Sequence, residues 1–325
     1  MKSRRVGLAL LIGLLIVSAG LNLLGGPKWF ALNTLFQSST HLSTQVLWRM
    51  RIPRTLCALM VGALLAVSGQ LLQTVSHNPI ADPSILGINS GATLALIIGG
   101  VSGISLTVGH SVVLGLIGAV VAFAVVMLLS VSHNGIDPLR LLLGGTVFSG
   151  FISCISYAVS LVTNTTQAFR NLLIGGFSGV EYAQVALLAV VFVIVFGLAF
   201  CFCSGFTVMS LDQQTSRGLG VAQGHLWVVA TLLIVCATGA SVAVAGNIGF
   251  VGLGIPQLIN TIWPGSFKQN LGFTMIGGAI FMALADLVAK TVIPGTELPL
   301  AALSAIIGGC FLFAIVAFGE RVIRE

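Results

Sequence analysis

The long segment 83–136 contains no Asp, Glu, Lys or Arg. Charge is scarce throughout, since only 7% of the 325 residues are charged and 57% are hydrophobic. A soluble domain carries about 25% charged residues, and a soluble fold of this length could not cover its surface with so few. Lipid must therefore be the solvent for most of the exterior, which predicts an integral membrane protein.

The apolar residues divide into segments of membrane-spanning length, for which an α-helix needs about 20 residues. The uncharged segment 83–136 holds two spans, with the Gly- and Ser-rich run Gly99–Gly109 as the turn between them. The other predicted spans are Val6–Gly25, Thr55–Ser76, Leu141–Val162, Val185–Cys203, Trp227–Ala245, Gly249–Trp263, Leu271–Ala289 and Leu298–Phe318. The pattern predicts an all-α, polytopic transmembrane helical bundle of about ten spans. No polar linker divides it, so residues 1–325 are expected to form a single domain, with the first span retained.

The distribution of Lys and Arg predicts the orientation. An even number of spans places both termini on one side, and the positive-inside rule places that side in the cytoplasm. Eight of the 14 basic residues are then inside, and six are outside. The external ones are Lys28, Arg49, Arg51, Arg54, Arg170 and Lys290. Six is a high number for short external loops, which indicates that an external partner uses some of them.

Several classes of function find no support in the residues. The 40 glycines fit close helix packing, and no phosphate-binding motif accompanies them. The basic residues lie in short clusters between apolar runs, so nucleic-acid binding is not expected. No catalytic set, metal site or cofactor site emerges. The six cysteines are interpreted as small core hydrophobes: Cys57, Cys154, Cys201, Cys203, Cys236 and Cys310.

Four acidic positions carry local structural signals. Asp82-Pro83 and Asp137-Pro138 each place an N-cap residue before a proline, which predicts helix starts. Thr296-Glu297 is a similar signal before the last span. Asp286 and Lys290 stand four residues apart on one helix and could pair. Because paired carboxylates are missing from the middle of the spans, an ion-coupled secondary transporter is disfavoured. It stays open as an alternative, as does a membrane sensor that transports nothing.

Six short motifs occur at characteristic spacing along nearly the whole chain. They are Arg51-Ile52-Pro53-Arg54-Thr55-Leu56, Gly62–Gly69, His77-Asn78-Pro79-Ile80-Ala81-Asp82-Pro83, Leu86-Gly87-Ile88, Gly246–Leu253 with Pro256, and Glu297-Leu298-Pro299 followed by Ala305–Gly308. Together they resemble the FecCD family, the membrane subunits of ABC importers for iron-siderophores, haem and cobalamin. Asn247, Gln257 and Asn260 depart from the family's pattern, so the resemblance implies no detailed mechanism for the residues around them.

The resemblance implies a permease subunit of a type II ABC importer, which is not itself an enzyme and needs no cofactor. A second permease subunit, either a copy or a paralogue, would complete the pathway through the membrane lipid. Two cytoplasmic ATPase subunits would drive transport, and an extracytoplasmic substrate-binding protein would deliver the ligand. The expected location is the bacterial cytoplasmic membrane. The expected ligand is an iron(III)-siderophore, with haem or cobalamin as alternatives.

The resemblance also implies two functional surfaces. In the family's cobalamin importers, basic residues at the positions of Arg51, Arg54 and Lys290 meet acidic residues of the binding protein. Lys290 stands where the family has arginine, which keeps the charge but loses bidentate geometry. The alternative is that these side chains only snorkel to the membrane surface.

The second surface is a polar loop that resembles the family's coupling helix, which inserts into the ATPase. Its residues here are Leu211, Asp212, Arg217, Gly218, Leu219 and Gly220. Gln213 and Gln214 replace the acids that the family usually carries. The alternative is an ordinary polar loop.

Overall fold

The computed structural model describes residues 2–36, 41–104, 107–132, 135–136, 138–211, 223–293 and 295–318. Within them the fold is helical, apart from one antiparallel pair of two-residue strands, β1 (Val131–Ser132) and β2 (Gly135–Ile136), in which Val131 pairs with Ile136. The helices are α1 (Lys2–Leu24), α2 (Leu42–Val46), α3 (Ile52–Ser76), α4 (Ile88–Val101), α5 (Val108–Ser130), α6 (Pro138–Val162), α7 (Thr166–Ile174), α8 (Tyr182–Cys201), α9 (Cys203–Met209), α10 (Gln223–Ala245), α11 (Val251–Ile262), α12 (Phe267–Thr291) and α13 (Leu300–Phe318).

An apolar helix lies at each place where the sequence predicts a span. Among the described residues, seven helical segments are long and apolar enough to cross a membrane. They are Arg4–Leu24, Leu42–Ser76, Gly109–Ser130, Leu143–Val162, Tyr182–Cys201, Gly224–Ala245 and Phe267–Thr291. Three further apolar helices are shorter: Ile88–Val101, Val251–Ile262 and Leu300–Cys310. The multi-pass helical bundle is therefore confirmed, whereas the number of ten spans stays a prediction.

Helix α3 lies at the centre of the bundle. Within its most apolar window 83% of the residues are buried, against 17% for α1, α6 and α8, whose apolar faces are left for lipid. Glycines allow its close contacts with α11 and α12. A Cβ atom at Gly62 would overlap the carbonyl oxygen of Gly278, and one at Gly69 would overlap that of Gly252. Small residues thus let the backbones approach where lipid provides no hydrophobic drive between helices.

Residues 42–51, which directly precede α3, are helical. Helix α2 continues through a π-helical turn, Leu47–Arg51, directly into α3. Proline lacks an N–H group, and its ring crowds the carbonyl four residues earlier. The wide turn before Pro53 accommodates both effects. Helical structure therefore begins upstream of the predicted span Thr55–Ser76, and the turn sets where Arg51 and Arg54 point.

The helix starts predicted at acidic residues have different outcomes. The Asp82 carboxylate accepts a hydrogen bond from the Ser84 N–H at 2.8 Å, but it caps a 3₁₀ turn rather than α4, because Gly87 at φ +79° interrupts the helix. Burial raises the pKa of Asp82, while the backbone N–H groups of Ser84, Phe250 and Leu253 lower it less strongly. Asp137 lies outside the described residues.

The cysteines are free, but the prediction that they are core residues holds only in part. Cys57 and Cys203 are buried and Cys236 is half-buried. The other three are exposed on outer helix faces: Cys154, Cys201 and Cys310. A cysteine in an apolar helix can face either lipid or the protein core. The hydrophobic pattern of the sequence does not distinguish these two environments. Among the described residues, no group of three or more His, Cys, Asp or Glu side chains could hold a metal ion.

Candidate functional site

Three basic residues singled out in the sequence meet at one end of the bundle, here called the basic end. Arg51 closes the π-helical turn, Arg54 lies in the first turn of α3, and Lys290 lies in the last turn of α12. Helix α3 runs away from this end, and α12 runs towards it. All three side chains are mostly buried, with Arg51 9% and Lys290 5% exposed.

The Arg54 guanidinium is held by two carboxylates, one on each of its edges. On the inner edge, Nε lies 3.1 Å from both Asp286 oxygens, and Nη2 lies 2.8 Å from Oδ1. On the outer edge, Nη1 and Nη2 donate to the two Glu297 oxygens at 2.5 and 3.0 Å. The Asp286 side chain is 1% exposed, whereas that of Glu297 is 41% exposed. Bidentate pairs of this kind fix geometry as well as charge.

A buried polar network connects this pair to Lys290 and α1. The Asn22 amide donates to Asp286 Oδ2 at 2.9 Å and to the Ala283 carbonyl at 2.7 Å. Lys290 Nζ lies 3.5 Å from Asp286 Oδ2, so the predicted i, i+4 pair forms. Nζ also donates to the Asn22 carbonyl at 2.6 Å and to its side-chain oxygen at 3.1 Å. The single buried carboxylate of Asp286 therefore serves two cations.

Arg51 caps the carboxyl end of α1. Its Nη1 donates to the Leu24 carbonyl at 2.7 Å and to the Leu23 carbonyl at 3.3 Å, and its Nη2 donates to the Lys28 carbonyl at 2.7 Å. The guanidinium carbon lies 4.2 Å from the centre of the Phe30 ring. The last carbonyls of a helix lack intrahelical partners and carry partial negative charge, so a cation satisfies both needs.

The basic end carries excess positive charge beside an open cavity. A cavity of about 580 Å³ reaches Arg51, Arg54, Lys290 and Lys28. Against these four cations stand the two carboxylates of Asp286 and Glu297. The cavity walls are largely apolar and are formed by Phe30, Leu42, Val46 and Met50. This end can therefore receive an anionic group attached to an apolar body.

The opposite end of the bundle brings together the start of α1 and the predicted coupling loop. Arg4 donates to the Pro264 carbonyl at 2.5 Å, and His77 Nε2 lies 3.3 Å from the Leu211 carbonyl. A polar cavity of about 360 Å³ at this end is lined by His77, Ser210 and Gly265. Leu211 is exposed. The remaining members of the predicted loop lie outside the described residues: Asp212, Arg217, Gly218, Leu219 and Gly220.

Two members of the basic-end network were not identified from the sequence. Asn22 is a polar residue inside the apolar first span, and polar groups in spans usually face a partner, so this signal was available. Glu297 was interpreted as part of a helix start, but α13 begins at Leu300 and the Glu297 side chain pairs with Arg54. Local sequence rules do not reveal a partner on a distant helix.

These observations describe a multi-pass helical membrane protein with a cluster of charged side chains at one end of its apolar bundle. The FecCD transport family model matches residues 10–318, and the chain belongs to this family. The iron(3+)-hydroxamate import permease FhuB of Bacillus subtilis is 32% identical, over 95% of this chain and 82% of the relative. The vitamin B12 import permease BtuC of Salmonella arizonae is also 32% identical, over 94% and 92%.

A solved structure supports the same assignment. An inward-facing transporter described as of the metal-chelate ABC type aligns with a TM-score of 0.82 and 28% identity, over 97% of this chain and 99% of that chain. Members of the family are permease subunits of ABC importers, in which a separate subunit hydrolyses ATP. The chain is therefore a transport component that works with a partner permease and an ATPase.

Proposed function

We propose that this chain translocates an iron(III)-siderophore across the bacterial cytoplasmic membrane. Iron-hydroxamate import by one relative supports this ligand. Vitamin B12 import by another supports cobalamin as the second candidate, and haem remains a third. The whole chain acts as one permease domain of ten spans with both termini in the cytoplasm. The basic end then faces outwards, and the end that carries Arg4 and Leu211 faces the cytoplasmic ATPases.

The basic end is the docking surface for an extracytoplasmic substrate-binding protein, through Arg51, Arg54 and Lys290. The observation that carries this proposal is the convergence of the three cations beside a cavity that Lys28 also lines, while the carboxylates of Asp286 and Glu297 pair with Arg54 and Lys290. Complementary charge guides encounter and fixes the orientation of partners. An acidic patch on the binding protein is the complementary surface.

The docking experiment compares two charge removals at the same end. Arg54→Gln should weaken binding of the binding protein encoded beside the permease gene by about tenfold or more, and should reduce the dependence of affinity on salt. Arg170→Gln removes one charge from the exposed face of α7 and is the matched control. Binding to permease in nanodiscs measures both. Equal affinities for the two variants would exclude Arg54 from docking.

The ligand is tested separately by uptake into cells that lack their own importers. Cells that express the permease with its neighbouring ATPase and binding protein should take up radiolabelled ferric hydroxamate. Labelled cyanocobalamin and haem are the competing substrates. Uptake of cobalamin or haem but not of the ferric complex would refute the proposed ligand and leave the docking proposal standing.

A further inference from the structure

The three cations of the basic end differ in how firmly the protein holds them. Arg51 donates to three backbone carbonyls, and Lys290 donates to a backbone carbonyl and a buried amide. These acceptors belong to α1 and its extension, and they cannot leave without unfolding the helix end. The two side chains are therefore fixed parts of the scaffold.

Arg54 has one partner that can leave. Its inner edge is fixed by Asp286, which is buried and also bonded to Asn22. Its outer edge is occupied by Glu297, which lies in the loop between α12 and α13. The Glu297 side chain is 41% exposed. Loss of the Glu297 pair would leave the guanidinium in place, with two N–H groups directed outwards. The half-exposed Glu297 carboxylate is open to water, which competes with Arg54 for it and weakens this pair.

The surroundings provide room for the exchange on both sides. The cavity of about 580 Å³ reaches Glu297 and Arg54, so an incoming side chain has space next to the outer edge. A second cavity of about 450 Å³ also reaches Glu297 and is lined by Asn171 of α7 and by Ser178, which follows α7. The Glu297 side chain can therefore swing from Arg54 into a polar space without moving its backbone. The Leu298 N–H, which bonds to the Ala289 carbonyl at 2.9 Å, anchors that backbone.

We propose that Glu297 is a displaceable counter-ion, which a carboxylate of the docked partner replaces on the outer edge of Arg54. The apolar walls of the cavity further indicate that a large apolar side chain flanks this partner carboxylate. Glu297 keeps Arg54 neutralised in the free permease, and the exchange requires the partner to carry an acidic residue opposite Arg54. The exchange rests on the docking function proposed above and takes place at Arg54, while Arg51 and Lys290 contribute their positive charge to the docking surface from fixed positions.

The test replaces Glu297, the counter-ion that the partner would displace, and leaves Arg54 unchanged. Glu297→Gln should tighten binding of the partner by roughly two- to fivefold, since the partner no longer displaces an ion pair. Glu297→Asp keeps the charge but shortens the side chain by one methylene group, and it should give a smaller gain. Glu181→Gln is the matched control. Glu181 is the N-cap of α8 and precedes Tyr182, whose hydroxyl donates to the Trp48 carbonyl at the same end of the bundle. The replacement therefore removes one negative charge from this end without changing the partners of Arg54.

The outcomes separate the exchange from docking itself. The proposal predicts a gain for Glu297→Gln, none for Glu181→Gln, and loss of the gain when Arg54→Gln is also present. If Glu297→Gln and Glu181→Gln tighten binding equally, the gain comes from long-range electrostatics and the proposed exchange is wrong. If Glu297→Gln leaves affinity unchanged or weaker while Arg54→Gln weakens binding, docking stands and the exchange fails. If Arg54→Gln matches Arg170→Gln, docking through Arg54 fails, and the exchange fails with it.

Discussion

The replacement Asp286→Asn tests the buried network at the basic end, because it removes one charge with little change in shape. Asp286 is fully buried and neutralises Arg54 at 2.8 Å and Lys290 at 3.5 Å. An amide in its place would direct N–H groups towards the donors of Asn22, Arg54 or Lys290. Lys290 would keep only neutral acceptors in a site where it is 5% exposed.

The expected cost follows from which cation is left without a counter-ion. Removal of one partner from a buried ion pair costs about 3–5 kcal/mol. Glu297 still neutralises Arg54 in the variant, so the lower end of this range, about 3 kcal/mol, applies. With an unfolding entropy of about 2.1 cal/mol/K per residue, a chain of 325 residues loses about 1.5 °C in melting temperature per kcal/mol, which predicts a decrease of about 4–5 °C.

Thermal unfolding of the purified permease in detergent, followed by fluorescence, measures this decrease. Glu297→Gln is the control, because the Glu297 side chain is 41% exposed and solvent screens its pair with Arg54, so its loss should cost less than the loss of the buried Asp286 carboxylate. Addition of Lys290→Met to Asp286→Asn should restore part of the loss by removing the stranded cation. A decrease for Asp286→Asn no larger than that for Glu297→Gln would refute the view that Asp286 anchors the network.

Two further predictions concern other parts of the chain. Gly69→Ala should lower stability by about 1–3 kcal/mol because its Cβ would overlap the Gly252 carbonyl. Gly272 faces open space on α12, so Gly272→Ala should be neutral or slightly stabilising and is the control. Equal melting temperatures for the two variants would contradict the close helix contact. Replacement of Leu219 and Gly220 by bulky polar residues should abolish uptake while the ATPase subunit continues to hydrolyse ATP, and full uptake by that variant would exclude a coupling role for the loop.

The sequence predicted those features that depend on the solvent and on short-range rules. Span positions could be found because about 20 apolar residues in a row have few alternatives to a membrane helix. The Asp286–Lys290 pair could be predicted because one turn of helix brings the residues together. Arg51 and Arg54 were identified through the family resemblance.

The partners of these residues could not be predicted, because they depend on how the helices pack. Arg54 bonds to a carboxylate 243 positions away, and Asn22 bonds to one 264 positions away. Local rules assigned Glu297 to a helix start, and nothing nearby in the sequence indicates its contact with Arg54. The role of Arg51 at the end of α1 likewise requires the π-helical turn that turns its side chain back towards Leu24.

The central claim is that this chain is the permease of an ATP-driven importer, and transport in a defined system tests it most directly. The permease and its neighbouring ATPase subunit are reconstituted into liposomes, with the binding protein and radiolabelled ferric hydroxamate on the extracytoplasmic side. The liposomes should accumulate the ferric complex only with ATP on the ATPase side, and accumulation should persist when proton and sodium gradients are abolished. Accumulation that needs an ion gradient and continues without ATP would contradict the central claim.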